Sequence, residues 1–322
     1  MKKFLIVLSI VLLSLGLFWG IVNLIPVHKS IKETNPWRKT DKVLISAHRG
    51  GAELNPENTK MAFDYVIKET SYTDIVEIDV LLTKDNVVVI NHDDTVNDMA
   101  LPDGSDDVRI DSHSFAELKA YNLGRNFENL EGKRPYENYT LEQAEEAGLT
   151  IMSIEDFFRE YNGYRDFKVF VEIKDDETKC RQAIDEIEKL IAMEEYSWWD
   201  DRIMYISFTS DVVDYTLENY EGRYVACMGF GMVPQLAGSI LRLDSLIKSE
   251  YHSIQTSMVA SAGPISINCA TKRFVKSAHK RNQSVVYWTI DNEEDMLHLI
   301  DIGADVITTD RPDVLAKLIG KI

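Results

Sequence analysis

From Val43 to its end the chain repeats one pattern: a short β-rich run, then an amphipathic helical stretch, then another β-rich run. Nothing else in it limits the fold as much. Parallel strands cannot be joined by a tight turn; each pair needs a crossover of a dozen or more residues, which a helix supplies. The strand candidates are Val43–Ala47, Asp74–Val80, Val87–Asn91, Lys168–Ile173, Ile203–Phe208, Tyr224–Gly229, Ser253–Thr256, Ser284–Thr289 and Asp305–Thr308. Helical patterns such as Thr178–Glu195 and Thr271–Arg281 lie between most of them. The class is α/β, and the candidates exceed by one the eight places of a closed (β/α) barrel. Thr83-Lys84-Asp85-Asn86 is too short for a parallel crossover. Asp74–Leu82 and Val87–His92 therefore read as a hairpin with only its first arm in the barrel. A two-residue turn at Lys84-Asp85 or at Asp85-Asn86 sets His92 opposite Glu77 or Asp79, respectively.

Residues 94–150 break the alternation. They are rich in Asp, Asn, Gly and Glu, with one helical stretch at Ser114–Tyr121. A long excursion from the carboxyl end of a barrel strand is where substrate-recognition lids are built.

The amino terminus differs in kind. Phe4 to Pro26 carries no charge and is dominated by Leu, Ile and Val after Met1-Lys2-Lys3. At about 1.5 Å per residue such a helix spans a hydrocarbon layer of about 30 Å. A cleaved signal would have a shorter apolar region and small residues at its cleavage site. The expectation is a single-pass anchor or signal over residues 1–26, a tether over 27–41 and a catalytic domain over 42–322. Lys2 and Lys3 favour an inside amino terminus, and Lys29, Lys32, Arg38 and Lys39 oppose it. A short anchor that exports the rest of the chain places the domain outside the cell membrane.

Net charge is −18 over 322 residues and the pI is near 4.8. With no basic run, this argues against nucleic acid as a partner. An acidic protein acting on an anionic ester must invert its potential locally. Cys180, Cys227 and Cys269 are odd in number and widely spaced, so they outline neither a disulfide framework nor a zinc site.

The residues for such an inversion sit at strand ends. Glu77 and Asp79 are two apart, so on a strand both side chains share a face. Glu172 adds a third carboxylate in Val171-Glu172-Ile173-Lys174. Buried together they are costly unless a cation holds them, and carboxylate oxygens suit one divalent ion, Mg²⁺ or Ca²⁺, better than zinc. Arg49 offers a planar fork for phosphate oxygens, and Lys174 a second cation on the side of Glu172. His48 and His92 end strands beside these groups, an acid–base pair by type. His113, His252, His279 and His298 lack such company and read as surface or packing residues. Pro56-Glu57-Asn58-Thr59 opens a helix with Asn58 as its cap. Phe208 and Trp288 follow later strands and suit the wall of a small polyol pocket. The inventory is that of metal-assisted chemistry on a phosphate ester.

In order, the chain reads H-R-G-G with P-E-N-T, E-I-D, N-H-D, V-E-I-K, I-S-F, Y-W-T and I-T-T-D-R-P, over about residues 43 to 315. This ordered set resembles the glycerophosphodiester phosphodiesterases. The resemblance implies a TIM barrel with a small insertion after the second conserved histidine, matching 94–150. It implies metal ligation by Glu77, Asp79 and Glu172, acid–base work by His48 and His92, phosphate contacts from Arg49 and Lys174, and glycerol contact from Trp288. The implied reaction hydrolyses a glycerophosphodiester to sn-glycerol 3-phosphate and an alcohol. In one route the glycerol 2-hydroxyl attacks phosphorus before water opens the cyclic phosphate. The implied substrates are a glycerophosphodiester, a lysophospholipid or a glycerol-phosphate polymer. Two departures bear on substrate preference: His92-Asp93 continues Asp94-Thr95-Val96-Asn97-Asp98-Met99 rather than with the family's Leu and Arg-Thr, and Trp288-Thr289 continues Ile290-Asp291. The alternatives are a phosphatidylinositol-type phospholipase, a lysophospholipase D and a non-catalytic glycerophosphate-binding module.

Overall fold

The computed structural model describes residues 2–31, 34–39, 41–164, 167–174, 177–262 and 265–322. The strands in chain order are β1 (Leu44–Ala47), β2 (Ile75–Leu82), β3 (Val88–Ile90), β4 (Met152–Ser153), β5 (Lys168–Ile173), β6 (Ile203–Ile206), β7 (Tyr224–Cys227), β8 (Ser253–Thr256), β9 (Val259–Ala262), β10 (Ile265–Asn268), β11 (Ser284–Tyr287) and β12 (Val306–Thr309). Eight of them, β1, β2, β5, β6, β7, β8, β11 and β12, pair in parallel in that order. β1 closes the ring by pairing both β12 and β2. Helices cover the outside, among them Lys60–Asp64 after β1, Glu177–Ile191 after β5, Val233–Leu241 after β7 and Pro312–Leu318 after β12. The fold is a (β/α)₈ TIM barrel.

The strand sequences explain the layering. On β2, Val76, Ile78 and Val80 pack outward with Val169 and Val171 of β5 under the helices. Ile75 packs inward with Phe170, Met204, Ala226 and Val286. Period-2 alternation therefore puts Ile75, Glu77 and Asp79 on one inner line, apolar at the amino end of the barrel and acidic at the carboxyl end. Trp37 completes the apolar end: it is fully buried and stacks on Phe170 at 5.2 Å between centroids. Stretch 27–41, expected to be a tether, is thus not free chain throughout. Residues 32, 33 and 40 of it lie outside the described residues, but Asn35 donates to the His252 and Asn282 carbonyls. One buried indole and its neighbouring amide outweigh a polar composition.

β2 and β3 form the expected hairpin, but in neither expected register. Val80 pairs with Ile90 and Leu82 with Val88, so the turn has three residues, with Asn86 at φ 62°. An αL residue closes a three-residue turn, which shifts the pairing by one. Asn91 N then donates to Asp79 O at 3.0 Å, and this register carries His92 to the level of Ile78, between the two expected partners.

The excursion over 94–150 holds short helices Asn97–Ala100, Phe115–Leu118 and Leu141–Glu146, around a small core of Val96, Ile110, Leu118 and Leu123 against Leu81 and Val89. Ser114 and Glu117 form a capping box, and the helix there is shorter than the Ser114–Tyr121 expected. The antiparallel pair β9–β10, absent from the strand candidates, interrupts the crossover after β8. Its Ala- and Ser-rich sequence carries no strong strand signal. Helix Lys2–Val22 is exposed over most of its length and meets the domain at Trp19 and Val22; over Lys3–Val22 it is long and apolar enough to cross a membrane.

Candidate active site

The site is assembled where β1 ends. Arg49, Gly50 and Gly51 follow one another with φ of 51°, 83° and 90°. This left-handed run turns the chain back over the barrel mouth. Gly50 is obligatory, because a Cβ there would come within 2.9 Å of the Ala62 Cβ. The reversal aims the Arg49 amide at Glu77, donating to Oε2 at 2.9 Å.

The β2–β5 register sets Asp79 level with Glu172. Glu77, Asp79 and Glu172 are all buried, and each offers an oxygen within 4.8 Å of the others. At an effective dielectric of about 20, two carboxylates that close repel by about 3 kcal/mol, on top of several for desolvating each. Partial relief comes from Lys174, whose ammonium lies 2.7 Å from Glu172 Oε1 and 3.1 Å from Asp79 Oδ1. Asn58 Nδ2 donates to Asp79 Oδ2 at 2.9 Å. Glu77 Oε1 is buried and accepts no hydrogen bond among the described residues. Burial, then the Asp79 charge, pushes the Glu77 carboxyl above the ordinary range. The same two causes raise Glu172. Burial would raise Asp79 too, but Lys174, Arg49, His92 and the Asn58 hydrogen bond hold it below. Three converging carboxylates, with Glu77 Oε1 and Asp79 Oδ1 both buried and accepting no hydrogen bond among the described residues, fit a hard divalent cation.

Both imidazoles line the same cavity of about 160 Å³, with Arg49, Glu77, Glu172, Lys174, Phe208 and Trp288 also in its wall. Each is fixed through Nδ1. His48 meets Asp310 Oδ1 at 2.7 Å and His92 meets Asp93 Oδ1 at 2.7 Å. A carboxylate on Nδ1 selects the tautomer and leaves Nε2 as the working atom. Burial pulls the His48 imidazolium down, but the Asp310 hydrogen bond and the Glu77 charge outweigh it and push its pKa up to about 9. The Arg49 guanidinium is clamped by Glu57 at 2.9 and 3.0 Å. Phe208, beyond the end of β6, is 54% exposed and meets Trp288 edge-on at 5.4 Å.

All nine candidates from the sequence thus meet in one place. Further residues serve it, and their signals were present but unused. Asn58 is not the helix cap: Thr59 is, accepting from the Ala62 amide. Asn58 instead sits at φ 54° with its amide turned to Asp79, because P-E-N-T lies across the mouth from β2. Glu57 of that motif holds Arg49. Asp310, in T-T-D-R-P, holds His48, and its own amide donates to Asp291 Oδ1 at 2.8 Å. Of the other histidines, His279 does have an acidic partner, buried Asp305 at 2.7 Å. Asp305 leads into β12, at the opposite end of the barrel from the cavity.

The model of the glycerophosphoryl diester phosphodiesterase family matches residues 48–314. A glycerophosphodiester phosphodiesterase of Caldanaerobacter subterraneus is 29% identical over 282 residues, 87% of this chain and 99% of that protein. Among solved structures, a phosphodiesterase of Oleispira antarctica in complex with the product sn-glycerol 3-phosphate superposes with a TM-score of 0.64 at 20% identity, covering 87% of this chain and 97% of that one. A glycerophosphodiester phosphodiesterase from Parabacteroides distasonis gives 0.61 at 19%, covering 88% and 99%.

Proposed function

The chain belongs to the glycerophosphoryl diester phosphodiesterase family, and from that premise we propose that it hydrolyses glycerophosphodiesters to sn-glycerol 3-phosphate and an alcohol, using one divalent cation. The observation that carries the reading is the trio Glu77, Asp79 and Glu172, buried within 4.8 Å of one another under two carboxylate-tethered imidazoles. Those three residues would hold Mg²⁺ or Ca²⁺, and the bound cation would supply charge neutralisation for the phosphate.

The remaining work falls to the chain's own side chains. Arg49, kept in plane by Glu57, and Lys174 take the phosphoryl oxygens. Trp288 and Phe208 wall the glycerol. One imidazole removes the proton of the attacking hydroxyl at Nε2, and the other returns a proton to the departing alcohol. The roles exchange when water opens the cyclic phosphate. Asp310 and Asp93 orient the rings without touching the substrate. We further assign residues 42–322 to the catalytic domain with 94–150 as its insertion, and read helix Lys2–Val22 as an uncleaved single-pass anchor that leaves the domain outside the membrane.

The test is hydrolysis of glycerophosphocholine by the full chain. Glycerol 3-phosphate and choline are expected, lost on chelation and restored by Mg²⁺ or Ca²⁺. Phosphocholine and glycerol as products, or undiminished turnover after thorough metal stripping, would refute the assignment. Protease accessibility of the domain on intact cells tests the orientation.

A further inference from the structure

Helix Val233–Leu241 is built inside out. Its polar side chains, Gln235 and Ser239, are buried, and Gln235 donates to Gln283 in the interior. Val233, Ala237, Ile240 and Leu241 are exposed instead, spaced as one face of a helix, and the helix holds no charged residue. Leu246, just beyond it, is exposed as well. The stripe continues into an apolar groove of about 580 Å³, closed on its other side by Ala260 and Ile267 of the β9–β10 pair. That groove borders the catalytic cavity at Phe208, Gln255 and Trp288. A surface helix ordinarily turns its apolar side inward, and the reverse marks a face that something other than water covers.

The rim of this face is basic in a chain that is not. Residues 233–281 hold seven Lys and Arg against two Asp and Glu, within a net charge of −18. Arg242 and Lys248 follow the helix, and Arg273 and Lys276 stand on the neighbouring helix Lys272–Lys280. Arg273 donates to the Ile240 carbonyl at 2.7 Å, which fixes the two helices side by side. All four cations are exposed, and none pairs with a carboxylate among the described residues. An apolar stripe bordered by unpaired cations is the make-up of a helix that lies in the head-group layer of an anionic bilayer.

The amino-terminal helix supplies the depth. Trp19 Nε1 donates to the Leu241 carbonyl at 3.2 Å, and the Arg242 guanidinium lies 6.0 Å from the centre of the Trp19 ring. Ser245 donates to the Val22 carbonyl at 2.6 Å. With Lys3–Val22 across the hydrocarbon, Trp19 and Val22 stand at one interface, and the segment they touch stands there with them. Resting on the reading of that helix as an anchor, we propose that the outer face of helix Val233–Leu241 docks the catalytic domain onto the same bilayer. Val233, Ala237, Ile240 and Leu241 enter the interfacial layer, and Arg242, Lys248, Arg273 and Lys276 meet anionic head groups. The domain is then held on the membrane in one orientation rather than swinging on a tether.

The test uses the full chain in nanodiscs of phosphatidylcholine, alone or mixed with phosphatidylglycerol. A fluorophore is placed on Val233→Cys, at the end of the helix away from the anchor contact; the native cysteines are buried and do not compete. Companion labels go on Leu12→Cys within the anchor and on Arg159→Cys, in the crossover from β2 to β5 across the ring. Head-group nitroxide lipids should quench the label at 233 and not the one at 159, and mid-chain nitroxides should quench the label at 12. Lys248→Gln and Lys276→Gln should each lower the ratio of docked to undocked domain about fivefold in discs with phosphatidylglycerol. Quenching at 12 with none at 233 would overturn the docking face and leave the anchor standing. Quenching at 233 with none at 12 would uphold the face and sink the anchor. Quenching at 233 that ignores both phosphatidylglycerol and the lysine changes would overturn the role of the basic rim. Protection of the 233 label that disappears at one chain per disc would give the face to a second copy and overturn the proposal.

Discussion

Lys174→Met is the sharpest probe of the carboxylate cluster, because it removes a counter-charge and leaves the proposed metal ligands in place. The Lys174 ammonium sits 2.7 Å from Glu172 and 3.1 Å from Asp79. At an effective dielectric of about 20 those contacts are worth roughly 5–6 kcal/mol each. That is an upper bound, since the lysine's own desolvation and proton uptake by Glu172 offset much of it. Breaking a buried pair from one side costs about 3–5 kcal/mol in practice, and the lower end suits a lysine that is 17% exposed. A loss of about 3 kcal/mol corresponds to roughly 6–12 °C in Tm for a domain this size. The assay is thermal unfolding of parent and variant in EDTA, and again in millimolar Mg²⁺ or Ca²⁺. The variant should be the less stable in EDTA, and the cation should raise its Tm by more than it raises the parent's, because it then provides the missing positive charge. A variant as stable as the parent in EDTA, or a cation response no larger than the parent's, would refute the account of why three acids are buried together.

The same geometry sets three further outcomes. His48→Ala should lower kcat by about 10²–10⁴, and Asp310→Asn should lower kcat with little change in KM, which steady-state kinetics on glycerophosphocholine separates. Gly50→Ala forces a Cβ to 2.9 Å from Ala62 at φ 83°, costing about 1–3 kcal/mol of strain. Urea unfolding should register that loss, and activity should fall because the Arg49 turn opens. His252 is held neutral: its Nδ1 accepts from the Val225 amide at 3.1 Å, and burial lowers its pKa from 6.5 to about 4. With the folded value below the unfolded one, the unfolded chain binds the extra proton, so this contribution is whole above pH 6.5 and is lost as pH falls toward 4. The loss is at most about 3 kcal/mol, and His252→Asn should flatten the difference in urea stability between pH 7.5 and pH 5.

The parts of this protein that were legible in the sequence are those written in local pattern. β-branched runs at helix-length spacing announced all eight barrel strands, because a parallel strand must be apolar on both faces and must be followed by a crossover. The period of two on Ile75-Val76-Glu77-Ile78-Asp79 was enough to put both acids on one face. Type and position at strand ends singled out His48, Arg49, His92, Glu172 and Lys174, which the fold brings to one cavity.

What only the tertiary structure decided depends on distance along the chain collapsing to contact. Asp310 reaches His48 across 262 positions, since β1 and β12 become neighbours only when the ring closes. Asn58 resembled a helix cap until β2 came within reach of its amide. Trp37 looked like tether until the open end of the barrel needed a plug. The three-residue turn at Lys84-Asp85-Asn86 rested on one backbone angle that no composition announces. The groove beside the catalytic cavity is made by helix Val233–Leu241 and the β9–β10 pair, whose apolar residues are ordinary one by one. They form a surface because the barrel sets successive crossovers side by side, and side-chain chemistry alone carries no record of that adjacency.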